Sequence, residues 1–206
     1  AQPEVWPKGD ERGAVGAPWV RFLDLPPLAG SEEDARPLVA VAADPWWPMV
    51  VHGGAGVGSL TVRAEVAEAA IVGELVAPLG AGCVDRWDEI NEIVVRLEGG
   101  NAQSLSGEAV LNGGNVLAIE TAAGWELVQY RQARMMADGV WALSGLLRAR
   151  QGTEAQCERG AGVGAAVVVL DEALVRVAVD EAEAGLPRLW RVGPKGLPPG
   201  GADFTE

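Results

Sequence analysis

Apolar and polar residues alternate with a period of two through two segments of the chain. From Ser59 to Val66, Leu60, Val62, Ala64 and Val66 fall on one face and Thr61, Arg63 and Glu65 on the other. From Glu92 to Glu98, Ile93, Val95 and Leu97 face one way and Glu92, Arg96 and Glu98 the other. Side chains of a strand point alternately to its two faces, so both segments predict half-buried strands. Shorter apolar runs predict strands at Val20–Leu25, closed by Pro26-Pro27, at Leu38–Ala43 and at Met49–Val51. Two hairpins follow. Val116–Glu120 and Trp125–Tyr130 flank a turn at Ala122–Gly124, and Arg131–Met136 and Val140–Leu146 flank Asp138-Gly139, a two-residue hairpin signal. Val167–Leu170 and Leu174–Val179 predict the last strands, across a kink at Asp171-Glu172. One helix interrupts the series: Asn101 or Ser104 caps Leu105–Leu111, and Asn112-Gly113-Gly114 stops it.

Many short strands with one short helix near 102–112 predict a mainly β fold, a sandwich or a barrel. Residues 1–17 show no period and read as an extended lead-in. Residues 18–193 read as the β-rich domain, whole or split into two subdomains near 100–115, and 194–206 as a Pro/Gly-rich tail.

Charge narrows the function classes. The 206 residues carry 29 acidic against 16 basic side chains, a net charge of −13. Nucleic acid and anionic membranes repel such a chain at long range. The longest uncharged apolar stretch, Ala161–Leu170, is half the length of about 20 residues that a membrane-spanning helix needs. No membrane insertion is expected. The first residues have neither the basic nor the apolar region of a signal peptide, and they read as a chain cut at a domain border. Eight tryptophans among so many glycines and prolines point to a turn-rich fold anchored by a few large side chains.

Candidate chemistry is thin. Val167–Leu170 followed by Asp171-Glu172 imitates a metal-binding strand end, but no phosphate-cradling GxxxxGK[ST] loop accompanies it. The glycine clusters at 53–58 and 160–164 lead into strands, whereas a dinucleotide loop leaves a strand and opens a helix. Both read as connectors. Carboxylate groups at Asp85, Asp88 and Glu89, at Glu181 and Glu183, and at Glu32 and Glu33 read as solvated faces. His52, the single histidine, has no nucleophile motif near it, and Cys83 and Cys157 read as unpaired thiols, with a disulfide between them as the alternative. No catalytic, cofactor-binding or metal-binding residue is assigned.

The C-terminal half carries a more specific pattern. The segments 125–130 (WELVQY), 137–148 (ADGVWALSGLLR), 151–154 (QGTE) and 167–171 (VVVLD), with 22–26 (FLDLP), 38–42 (LVAVA) and 111–115 (LNGGN) upstream in order, resemble the large tail-tip (baseplate hub) proteins of gene transfer agents and related phage tail proteins. SGLLR followed by QGTE is the most specific piece. Family members are far longer, so the resemblance implies an excised part. They also carry a glycosidase-like barrel elsewhere, and its paired acids have no counterpart here.

The resemblance implies a structural protein of the particle's tail tip, made in the bacterial cytoplasm. It would join the tail tube to host-contacting parts and form part of the DNA conduit. Its partners would be copies of itself and neighbouring tail or baseplate proteins. DNA would pass without specific binding, and the host surface would be met indirectly. On this reading, Arg148, Arg150, Gln151 and Thr153 form a polar exit from the second hairpin. Acids such as Asp85, Asp88, Glu89 and Glu92, or Asp180, Glu181 and Glu183, would either face the conduit and repel DNA weakly or simply keep the outer surface soluble. The rival reading, from another class, is a secreted carbohydrate-binding module using Trp19, Trp46 and Trp47.

Overall fold

The computed structural model describes residues 17–27, 34, 36–183 and 185–206. Most of the lead-in, and Glu32 and Glu33, lie outside these. In chain order the elements are β1 (Trp19–Leu23), β2 (Leu38–Ala42), β3 (Met49–Gly54), β4 (Thr61–Val66), β5 (Val72–Leu75), β6 (Ile93–Glu98), α1 (Gly107–Leu111), β7 (Val116–Thr121), β8 (Gly124–Ala137), β9 (Val140–Arg150), α2 (Glu154–Arg159), β10 (Ala166–Val169), β11 (Val175–Arg176) and β12 (Leu189–Pro194). The mainly β expectation holds, in its barrel form.

Strands β10-β5-β6-β9-β8-β7 close into a six-stranded antiparallel barrel. Two three-stranded sheets, β1-β2-β11 and β12-β3-β4, stack beside it. Period-two alternation explains the three layers. Leu117 and Ile119 of β7 and Val167 of β10 point into the barrel, where they meet Ile93, Val95, Leu143 and Leu146. Their neighbours Ala118, Ala166 and Val168 point outward and pack against Leu23, Leu38 and Ala40 of the first sheet. Val39 and Val41 of β2 face the other way, onto Met49, Val51, Ala64 and Val192. Strand β2 is thus covered on both faces, which is why it reads LVAVA with no polar position. So few strands leave an interior only wide enough for side chains, and it is filled by them.

Several expectations need correction. The segments 125–130 and 131–136, read as separate strands, are one strand, β8. Val62 does not face the core: it is 56% exposed, because a bulge between β3 and β4 pairs Val51 with Ala64 but His52 with Val62. The extra residue, Arg63, reverses the alternation. The helix is shorter than 102–112 and is capped by Ser106, whose hydroxyl accepts from the Ala109 amide at 3.2 Å, rather than by Asn101 or Ser104. A second helix, α2, not expected from the sequence, follows directly on the residues read as a polar exit. Barrel strands come from both sides of 100–115, so the chain does not divide there. The two sheets beside the barrel combine strands from 19–66 with strands from 175–194. The Pro/Gly-rich tail 194–206 folds back onto β12: Thr205 pairs with Val192, and Phe204 is buried against the face of Gly193.

Candidate functional site

The polar groups that the fold brings together most tightly lie on β8 and β9. Register between these strands shifts: Gln129 faces Leu147, but Leu127 faces Arg150. Strand β9 therefore holds an extra residue at 148–149, and Ala149 takes a left-handed φ of 54°. The bulge sends Arg148 inward. Its Nε donates to Glu126 Oε1 at 2.6 Å and its Nη2 to Glu126 Oε2 at 2.8 Å, and both side chains are 0% exposed. The Ala149 amide donates to Glu126 Oε1 at 3.2 Å, so the carboxylate also holds the bulge. Burial works against the Arg148 charge, but the hydrogen bonds and charge of Glu126 outweigh it and hold the guanidinium pKa above its ordinary value. Arg148 is a buried staple, not part of a polar exit. Thr153 is buried too: its hydroxyl accepts from the Leu127 amide and donates to the Arg150 carbonyl.

The staple reaches a third element. Arg148 Nη1 donates to the Gly80 carbonyl at 3.1 Å, which ties the long loop of residues 76–92 to the barrel. Leu79 bridges to Ala161 and Asp88 to Leu146 along the same loop. A Cβ on Gly82 would lie 2.8 Å from both Arg148 Nη1 and Asp88 Oδ2, so only glycine lets the loop approach this closely. Cys157 of α2 donates its thiol to the Gly82 carbonyl at 3.8 Å, and burial pushes its pKa up, which disfavours the thiolate. Cys83 and Cys157 are both free thiols.

Two of the acids read as solvated, Asp88 and Glu183, are held by partners instead. Asp88 is 3% exposed and accepts from the Ile90 and Asn91 amides and from Asn91 Nδ2. Burial would raise its pKa, but those hydrogen bonds and the Arg148 charge bring it below the usual value. Glu89 and Glu92 pair with Arg131 and Arg134, and Asp85 is exposed at a left-handed φ of 59°. Glu183 accepts from both Arg63 and Arg188, so it braces the flanking sheets rather than standing in solvent. Asp180 is exposed. Asp88 and Glu183 are thus unavailable to line a conduit as free charges.

Residues 70–168 match the family described as Rcc01698-like, C-terminal. The Rcc01698-like match opens two residues before β5 and ends within β10, so it covers the barrel and its Arg148 staple and leaves both flanking sheets outside. No curated protein matches the chain.

The remaining candidates lie outside the Rcc01698-like segment. Trp19 and Trp46 line a shared cavity of about 590 Å³ with Asp44 and Glu98, the last of these being the one barrel residue among the four. Trp47 does not line it. The Arg21 guanidinium lies 5.0 Å from the centre of the Trp19 ring, and the Trp46 indole N–H donates to the Ala67 carbonyl. The tryptophans therefore double as packing for the two flanking layers. His52 sits on β3 with Phe204 6.0 Å away, and its buried Nδ1 has no hydrogen-bond partner among the described residues. Burial lowers its pKa. No helix among the described residues is long and apolar enough to cross a membrane.

The staple was hidden in the sequence. Glu126 and Arg148 are 22 residues apart, and the bulge that turns Arg148 inward lies at a non-glycine residue. Only the crowding of a charged Arg148 directly behind Leu146-Leu147 hinted at burial.

Proposed function

We propose that this chain is a structural component of a phage-like tail tip, part of the baseplate hub of a gene transfer agent or tailed phage. The observation that carries the reading is the coincidence of two independent boundaries. The residues that match the Rcc01698-like C-terminal family are the residues of the closed barrel, and the SGLLR…QGTE motif that resembles the hub proteins forms its stapled bulge and leads into α2.

The physics of the barrel suits a mechanical part. Closure leaves no sheet edge to pair with stray chains, and the packed interior resists deformation. That interior holds Leu, Ile, Val and Trp side chains, so DNA would run between copies of the domain and not through a barrel. Apolar side chains left exposed at Ile90, Met135 and Met136 would serve contacts with neighbouring subunits. On this account the chain works without catalysis.

Antibody fragments raised against the 206-residue chain test the reading. Negative-stain images of intact particles should show them at the tail tip. Decoration of the head or tube alone, or binding to free glycan in place of particles, would overturn it.

A further inference from the structure

In this acid-rich chain almost every cation is neutralised. Among the described residues, each lysine and arginine except Arg86, Arg150 and Arg159 has a carboxylate oxygen within 4.0 Å. Arg86 and Arg159 are exposed; Arg150 is half-buried. Arg150 is thus a half-buried guanidinium clear of every acid among the described residues, in a chain of net charge −13.

Arg150 ends β9 and lines a cavity of about 520 Å³ whose wall is aliphatic at Leu111, Val116, Leu127 and Leu170 and polar at Asn112, Gln129 and Gln151. Among the described residues no acid lines this cavity. The guanidinium is held from one side. Its Nε donates to Gln129 Oε1 at 3.0 Å. Gln129 is 4% exposed, and its amide nitrogen donates to the Val110 and Gly114 carbonyls at 2.6 and 2.9 Å. Two carbonyl acceptors fix the NH₂ end of the amide, so the oxygen must face Arg150. Arg150 is thereby oriented by a neutral partner. Both terminal nitrogens are left without a hydrogen-bond partner among the described residues.

A pair of terminal guanidinium nitrogens matches the two oxygens of a carboxylate or phosphate. One cation with no lysine beside it balances one negative charge, and the acidic chain repels a dianion. The aliphatic walls favour an apolar body on the ligand. We propose that this cavity binds a monoanionic carboxylate carried on a short aliphatic body, with Arg150 as the anion partner and Gln129 as the residue that positions it. Two sources share that chemistry: the C-terminus of a peptide ending in an aliphatic residue, and a free short-chain carboxylic acid. The inference goes beyond the hub reading and stands without it.

Titrations of the 206-residue chain, read by NMR at the Gln129 side-chain amide resonances, which every variant retains, test it. N-acetyl-leucine stands for a peptide terminus and hexanoate for a free acid, with N-acetyl-leucinamide as the uncharged control and inorganic phosphate as the dianion. At least one acid should saturate below about 10 mM, and the one that saturates first identifies the source. The amide and phosphate should bind about tenfold more weakly or not at all. Arg150→Gln should weaken the acid by about tenfold, and Arg150→Lys, which keeps the charge but loses the fork, by less. Equal binding of acid and amide, no saturation by either acid, tighter binding of phosphate, or unweakened binding to a folded Arg150→Gln chain would each overturn the proposal. The acid–amide comparison on the unaltered chain decides even if that variant does not fold.

Discussion

The barrel and the two sheets beside it reach stability by different routes. The barrel has a closed ladder, an interior filled by aliphatic side chains and an ion pair wholly removed from water. The flanking sheets keep open edges at β1, β11, β12 and β4, and much of their bracing comes from surface-accessible pairs. Glu183 joins Arg63 and Arg188 at about one-sixth exposure, while Lys195 and Glu65 meet with more than half of each side chain in water. Desolvated pairs are costly to break on one side only, whereas exposed pairs contribute little. Buried charge thus makes the barrel's bulge and its 76–92 loop a single unit, and the sheets depend on packing that acid or truncation can loosen.

The contrast yields graded expectations. Glu126→Ala leaves a buried, uncompensated Arg148 and should cost about 3–5 kcal/mol of unfolding free energy in denaturant titrations. The double change Glu126→Leu with Arg148→Met should cost less than Glu126→Ala alone; equal or greater loss would mean that the bulge, not the charge, needs these residues. Gly145→Ala should cost about 1–3 kcal/mol, because Gly145 has φ of 62° and an added Cβ would lie 3.1 Å from Arg131 Nε.

Acid should separate the two regions. Burial holds the His52 pKa below its unfolded value of about 6.5, so the unfolded chain takes up the proton first. Stability from this neutral imidazole is complete above that value and is lost as pH falls through the folded pKa. Burial raises the Glu183 pKa, but the Arg63 hydrogen bonds and neighbouring charges lower it further, so its contribution is present above the usual carboxylate range and lost below it. Asp34, hydrogen-bonded by Arg36, follows the same sign. Hydrogen exchange between pH 7 and 5 should show β3 and its neighbours opening before β6, β8 and β9, and His52→Gln should flatten that dependence. Uniform loss across both regions would contradict the division. Smallest of all, Lys195→Ala should change stability by less than about 1 kcal/mol, and thermal melts would reveal a larger role.

Strands were legible where burial is one-sided and the ladder regular. Ile93, Val95 and Leu97 point inward as their alternation predicts. The same rule failed at Val62 and after Leu143, because a bulge or a kinking glycine reverses the phase and neither is written in the hydrophobic pattern. Thus Leu146 joins the barrel core with Trp141 and Leu143, although strict alternation puts it on the opposite face. Helix α2 went unseen because six residues are too few for a period and Thr153 caps it without a side-chain bond. Asn101 and Ser104 were read as the caps, and Ser106 was passed over because the helix starts at Gly107 and not at Leu105. For function, the acids were legible as charge but not as partners: Asp88 and Glu183 look like solvated runs until the loop and the two arginines fold onto them. Arg150 was equally opaque, since its meaning lies in the carboxylates that stay away from it.

The hub account is tested most directly by an electron cryo-microscopy map of the intact particle. It predicts that the six-stranded barrel, recognisable by its long β8–β9 hairpin, fits density at the tail tip in several copies around the axis, with the DNA path between copies and each barrel interior filled. A tail tip without this barrel, or a DNA path running through the barrel itself, would contradict it.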